Sequence, residues 1–86
     1  MSAYRHTEGA LWHTTSRRVL VNPPEGATFD LDGVAGLVWE ALDEPVTIDD
    51  LAADLAAVFD RPVEEVGPEV ARVVAELVAA GAASPA

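Results

Sequence analysis

The spacing of apolar residues changes period near Asp32, and that change limits the folds open to this chain. Before it, Ala27–Leu31 alternates, with Phe29 and Leu31 on one side and Thr28 and Asp30 on the other, the pattern of a half-buried strand. Gly9–Thr14 and Arg18–Val21 supply two further short strands. The polar turn Thr15-Ser16-Arg17 joins the first pair, and Asn22-Pro23-Pro24-Glu25-Gly26 joins the second. From Gly33 onward the apolar residues recur every three or four positions, as helices require. Strands first and helices afterwards predict an α+β domain, a three-stranded antiparallel sheet followed by three helices, rather than alternating βαβ units. A three-stranded meander has two edges, and at least one of them must stay open or find a partner.

Asp32 is placed to cap a first helix, Gly33–Leu42, whose apolar stripe is Val34, Leu37, Val38, Ala41 and Leu42. Trp39 on that helix reads as a core aromatic bracing helix against sheet. Glu44-Pro45 ends the segment, and Thr47-Ile48-Asp49-Asp50 resembles a capping box opening a second helix that runs through Phe59. Its core face is Ile48, Leu51, Leu55, Val58 and Phe59. Pro68 reads as the first residue of a last helix capped by Gly67 and ending near Ala80 and Gly81, with Val63–Val66 a separate turn. On that last helix Val70, Val73, Val74, Leu77 and Val78 span an arc of about 140°, where one sheet needs roughly 100°. The surplus predicts that this helix touches two things.

A chain of 86 residues holds one small domain. At that size roughly 60–65% of the unfolded surface is buried. The expected organisation is an N-terminal arm over residues 1–8, a domain over 9–81 and a frayed tail over 82–86. There is no cysteine, which excludes disulfides, thiolate zinc sites and thiol catalysis. The formal net charge is −10, from 15 acids against 5 basic residues that are all arginine. Such a surface repels phosphate backbones and argues against nucleic acid as a ligand. No uncharged stretch approaches the roughly 20 apolar residues of a membrane span, and Met1–Glu8 has no apolar signal core. A cytoplasmic protein without membrane attachment is the expectation.

Catalytic chemistry is scarce. His6 and His13 are the only histidines, and no carboxylate stands at a compelling metal-ligand spacing beside them. Asp43/Glu44, Asp49/Asp50 and Glu64/Glu65 read as solvated charges at helix ends. Gly33-Val34-Ala35-Gly36 lacks the lysine and the glycine count of a phosphate loop. Neither Ser16 nor Ser84 opens a helix, as the modified serine of a carrier protein would. Arg17 and Arg18 form the only basic cluster, and they fall in a turn. No enzyme activity, no metal and no cofactor is expected.

The stretch Phe29-Asp30-Leu31-Asp32-Gly33-Val34-Ala35-Gly36-Leu37-Val38-Trp39-Glu40-Ala41-Leu42 resembles the hallmark of the PqqD-like family, the recognition elements for precursors of ribosomally synthesised, modified peptides. The resemblance continues through Glu44-Pro45-Val46-Thr47-Ile48-Asp49-Asp50-Leu51-Ala52-Ala53-Asp54-Leu55 and closes with Val66 and the helix Glu69–Gly81, covering about residues 18 to 81. Asp32 stands where the family usually has asparagine. The resemblance implies a winged-helix-like domain that binds the leader of a precursor peptide as an added strand. The leader would lie on the edge of Thr28, Phe29, Asp30 and Leu31 and pack against Val70, Val73, Val74 and Leu77, with Arg72 facing an acidic leader residue.

That implied function is a non-catalytic adaptor presenting the precursor to a maturation enzyme. A lasso-peptide system with a leader peptidase is favoured, on the strength of the Trp39-containing first helix and the short, free-standing length. The alternative within the family is presentation to a radical SAM enzyme in pyrroloquinoline quinone biosynthesis. The shared fold also admits a DNA-binding regulator, but the helices carry at most one arginine each, with acids in their first turns. A monomer, or a weak homodimer through the free edge strand, is expected.

Overall fold

The computed structural model describes residues 2–16 and 18–86; Met1 and Arg17, and with them part of the expected arm, turn and basic cluster, lie outside the described residues. The chain opens with β1 (Ala3–His6) and continues through β2 (Leu11–Thr14), β3 (Arg18–Asn22) and β4 (Phe29–Asp32) into α1 (Gly33–Ala41). After the short β5 (Val46–Thr47) come α2 (Ile48–Phe59), α3 (Val63–Ala79) and β6 (Ala83–Pro85). The expected meander is present, in spatial order β2-β3-β4 and antiparallel throughout. Val19 lies opposite Leu31 and Val21 opposite Phe29, which puts all four on one face. Leu20, Asp30 and His13 share the other face and are exposed.

The inner face packs into one core with the helices. Val19 and Val21 join Val38, Trp39 and Leu42 around α1, Leu51 and Leu55 from α2, and Val66, Val70, Val74 and Leu77 from α3. Thr47 caps α2 as expected: its Oγ1 accepts from the Asp50 amide at 3.1 Å. Asp60, at φ 53°, ends that helix in the left-handed conformation. At the end of α3, the Gly81 amide (φ 77°) donates to the Val78 carbonyl and the Ala82 amide to that of Leu77, the pair of hydrogen bonds that reverses a chain after a helix.

Three expectations are corrected. The first concerns both termini, which are strands rather than an arm and a tail. β1 runs antiparallel between β5 and β6, with Tyr4 opposite Val46 and Pro85, and Arg5 opposite Ser84. The Thr7 amide donates to the Ala82 carbonyl at 2.8 Å, and the Thr7 and Ser84 hydroxyls share a hydrogen bond of 2.6 Å. Ala82 and Ala83, at the entry to β6, are buried. Each of its strands has four residues or fewer and little apolar content, so none carries a period of its own; only the pairing makes them strands.

The second concerns α3, which begins at Val63 and runs unbroken through Pro68. A proline within a helix removes one backbone donor and crowds the carbonyl four residues earlier. Here that carbonyl belongs to exposed Glu64, and the preceding residue, Gly67, has no Cβ to meet the proline ring. The first turn forms regardless, with the Glu65 and Val66 amides donating to the Pro62 carbonyl at 3.0 and 3.2 Å. Burial of Val66 with the rest of the α3 stripe outweighs the one lost bond.

The third concerns Asp32, which occupies the N-cap position of α1 without donating or accepting a side-chain cap bond. Gly33 follows at φ 55°, a left-handed conformation that turns strand into helix in one residue. His6 likewise has a defined place. Its ring stacks on Trp39 at 3.8 Å, lies 4.4 Å from Trp12, and its Nε2 donates to the Trp39 carbonyl at 2.7 Å.

Candidate functional site: the open edge of β4 above α3

β4 is the last strand of its sheet, paired on one side with β3 and, among the described residues, with no strand on the other. Its register directs Phe29 and Leu31 inward and Asp30 and Asp32 outward. Phe29 and Leu31 are half-buried, unlike Val19 and Val21 of the neighbouring strand, because no strand or helix closes over the far side of them. Beneath the edge runs a groove of about 240 Å³ between β4 and α3. Phe29 and Leu31 form its upper wall, Ala35 of α1 one end, and Val73, Glu76 and Leu77 of α3, with Ala80 just after that helix, its floor and rim.

The expected surplus of apolar arc on α3 resolves along this line. Val70 and Val74 face the core and are fully buried. Val73 and Leu77 are also buried but stand at the boundary, packed on the core side and lining the groove on the other. Of the expected strand residues, Phe29, Asp30 and Leu31 line the groove, whereas Thr28 precedes β4 and bonds through its hydroxyl to the Asn22 Oδ1 across the turn. Arg72 is outside the groove: its guanidinium donates to Glu76, one helical turn on, at 2.9 Å. Arg18 similarly pairs with Asp30 on the outer face of the sheet.

Ala35, Glu76 and Ala80 were not legible as site residues. Glu76 and Ala80 follow Val73 at spacings of three and seven, so helical periodicity puts all three on one stripe. Ala35 belongs to another helix, and only the packing of α1 against β4 brings it to the groove.

Among the described residues no group of three or more His, Asp or Glu side chains could hold a metal ion. No helix among them is long and apolar enough to cross a membrane. Burial pushes the His6 imidazole pKa below its ordinary value, opposed by the hydrogen bond to the Trp39 carbonyl and by Asp43, while Arg5 adds to the lowering. The His6 ring is buried and packs against both Trp12 and Trp39.

Comparison with known proteins points to one family. The family model described as coenzyme PQQ synthesis protein D (PqqD) matches residues 17–82. A curated relative, the PqqA binding protein of Rhizobium meliloti (strain 1021), is 43% identical over 54 residues, a match covering 63% of this chain and 54% of that protein. The chain thus spans about half the length of the curated relative it matches. Among solved structures, the solution NMR structure of the PqqD truncation of Methylobacterium extorquens PqqCD aligns with a TM-score of 0.78 over 95% of this chain and 88% of that one. That structure is described as a functional, stand-alone recognition element for ribosomally synthesised and post-translationally modified peptides. At 21% identity the likeness is one of fold.

Proposed function

We propose that this chain, which belongs to the PqqD family, is a non-catalytic adaptor that captures the leader of a ribosomally synthesised precursor peptide and presents it to a maturation enzyme. The observation that carries the reading is the open edge of β4 directly above an apolar groove on α3. An extended peptide adding to that edge completes main-chain hydrogen bonds that β4 leaves unmade, and alternate side chains drop into the groove. The strand supplies affinity that any peptide could share; the groove supplies discrimination. Holding the precursor near an enzyme raises its effective concentration without any chemistry by the adaptor.

Within this class, similarity to a protein named for binding PqqA supports a PqqA-like precursor, with a radical SAM enzyme as recipient, over a lasso-type leader and its peptidase. Of the two features that favoured the lasso setting, the Trp39-containing first helix and the short length, the first loses its weight because Trp39 is a fully buried packing residue with no surface to offer a docked peptide. A DNA-binding role is opposed by the charge of −10, which no local arginine cluster on the helices offsets.

The test is titration of ¹⁵N-labelled protein with leader peptides of the PqqA and lasso types, and with a scrambled control. Saturable shifts confined to β4 and the groove face of α3 for one leader support the reading and choose between the precursors. Ala35→Gln and Ala80→Gln, which place a long polar side chain in the groove without touching Val70 or Val74, should weaken binding at least tenfold while the circular dichroism spectrum is unchanged. A folded protein that binds neither leader, or binds at a surface remote from β4, refutes it.

A further inference from the structure

The charges around the edge specify more than a generic strand. Asp30 and Asp32 alternate on the outer face of β4, and Glu76 stands on the α3 rim of the groove. The arginines nearest them are already engaged within the chain: Arg18 with Asp30, and Arg72 with Glu76. Both pairs are exposed, with side chains between 45 and 65% accessible, so their carboxylates keep room for a second cation. Among the described residues no arginine bonds the Asp32 carboxylate, and Asp32 makes no cap bond to α1. Every carboxylate along the free edge therefore presents at least part of its charge to whatever docks there. An acidic leader residue would meet repulsion, and Arg72 does not lie where it could relieve it.

Resting on the adaptor reading above, we infer that the β4 edge selects a strand in which apolar and cationic side chains alternate. The apolar ones pass under the sheet onto Phe29, Leu31, Val73 and Leu77; the cationic ones lie on the outer face beside Asp30 and Asp32. The assignment holds for either direction of the incoming strand, because the period of two puts the same alternate residues on the outer face in parallel and antiparallel addition. Cross-strand pairs of opposite charge are favourable and like charges destabilising, so the acids act both for basic strands and against acidic ones. The strongly negative surface extends the same preference to encounter, by drawing cationic peptides toward the chain.

The experiment uses three fluorescein-labelled peptides in which leucine alternates with lysine, serine or glutamate, measured by polarisation at low and high salt. The lysine peptide should bind roughly three- to tenfold more tightly than the serine peptide at low salt, with the glutamate peptide weakest. The spread should collapse toward parity as ionic strength rises. In the double variant Asp30→Asn, Asp32→Asn, both sites being exposed, the ratio of lysine-peptide to serine-peptide affinity should shrink at least threefold. Equal affinities for the three peptides, mapped to β4, overturn the charge assignment while leaving strand addition standing. Failure of all three to bind, whether because nothing adds to the edge or because a second copy of the chain occupies it, overturns both.

Discussion

Replacing His6 tests whether the N-terminal strand is part of the fold. The ring is 9% exposed, stacks on Trp39 at 3.8 Å, and donates from Nε2 to the Trp39 carbonyl at 2.7 Å. A carbonyl only accepts, so the neutral ring carries its proton on Nε2. That hydrogen bond contributes about 1 kcal/mol and the stacked pair about 0.5–1.5 kcal/mol. The Trp39 carbonyl also accepts from the Leu42 amide at 3.1 Å, so removing the imidazole does not leave it without a donor. His6→Ala, which also loses the burial of the ring, should therefore cost about 2–3 kcal/mol, or a fall in Tm of roughly 10–20 °C for a domain of this size. His6→Phe keeps the stack and loses the hydrogen bond, and should cost about 1 kcal/mol. Urea denaturation followed by tryptophan fluorescence at pH 7.5 measures both.

The same residue sets a slope with pH. Its folded-state pKa lies below the ordinary 6.5, so the unfolded chain takes up a proton before the folded chain does. The His6 contribution is thus fully present above about 6.5 and is lost as pH falls from there through the depressed folded value. The stability gap between parent and His6→Phe should narrow from pH 7.5 to 5.5. A His6→Ala variant within about 0.5 kcal/mol of the parent, or a gap that widens on acidification, would refute the account of His6 as a neutral, packed anchor.

Other outcomes follow from individual contacts. Thr47→Ala removes the cap on the Asp50 amide and should lower stability by about 1 kcal/mol, read by the same denaturation. Gly33→Ala meets no neighbour within 4 Å but forces φ 55° on an alanine, so it should cost about 1 kcal/mol from conformation alone, with the packing of the core unchanged, read by the same denaturation. Val70→Ala, deep in the core and away from the groove, should lower stability by about 1–3 kcal/mol and leave peptide affinity of the folded protein within twofold. Truncation after Gly81 removes β6 and buried Ala82 and Ala83, and should raise amide exchange across Ala3–His6 above the rate set by global opening, toward that of an unprotected strand.

The extent to which these features were legible from the sequence follows the range of the forces behind them. The meander, the Thr47 cap and the pairing of Phe29 and Leu31 on one face all depend on neighbours within a few positions, where periods of two and 3.6 are visible directly. The helical stripes were legible only in part: Val38 and Leu42, Leu51 and Leu55 are buried as expected, whereas Leu37, Val58 and Phe59 are exposed, because period alone does not set how far a neighbour covers a face. The excess apolar arc on α3 was visible in the same way, and so was the existence of an edge. What tertiary structure alone decided is which side of that arc meets what: Val70 and Val74 go to the core, and Val73 and Leu77 to its boundary with the groove, because β4 stops short of covering α3. It also decided the second sheet. Among the described residues Ala3–His6 has no strand partner nearer along the chain than Val46, and its strand exists only because the α3 terminus returns Ala83–Pro85 to its side and the start of α2 brings Val46 and Thr47 to the other. Local periodicity reports the preference of a segment for a face; it carries no record of the distant backbone that satisfies the segment's hydrogen bonds.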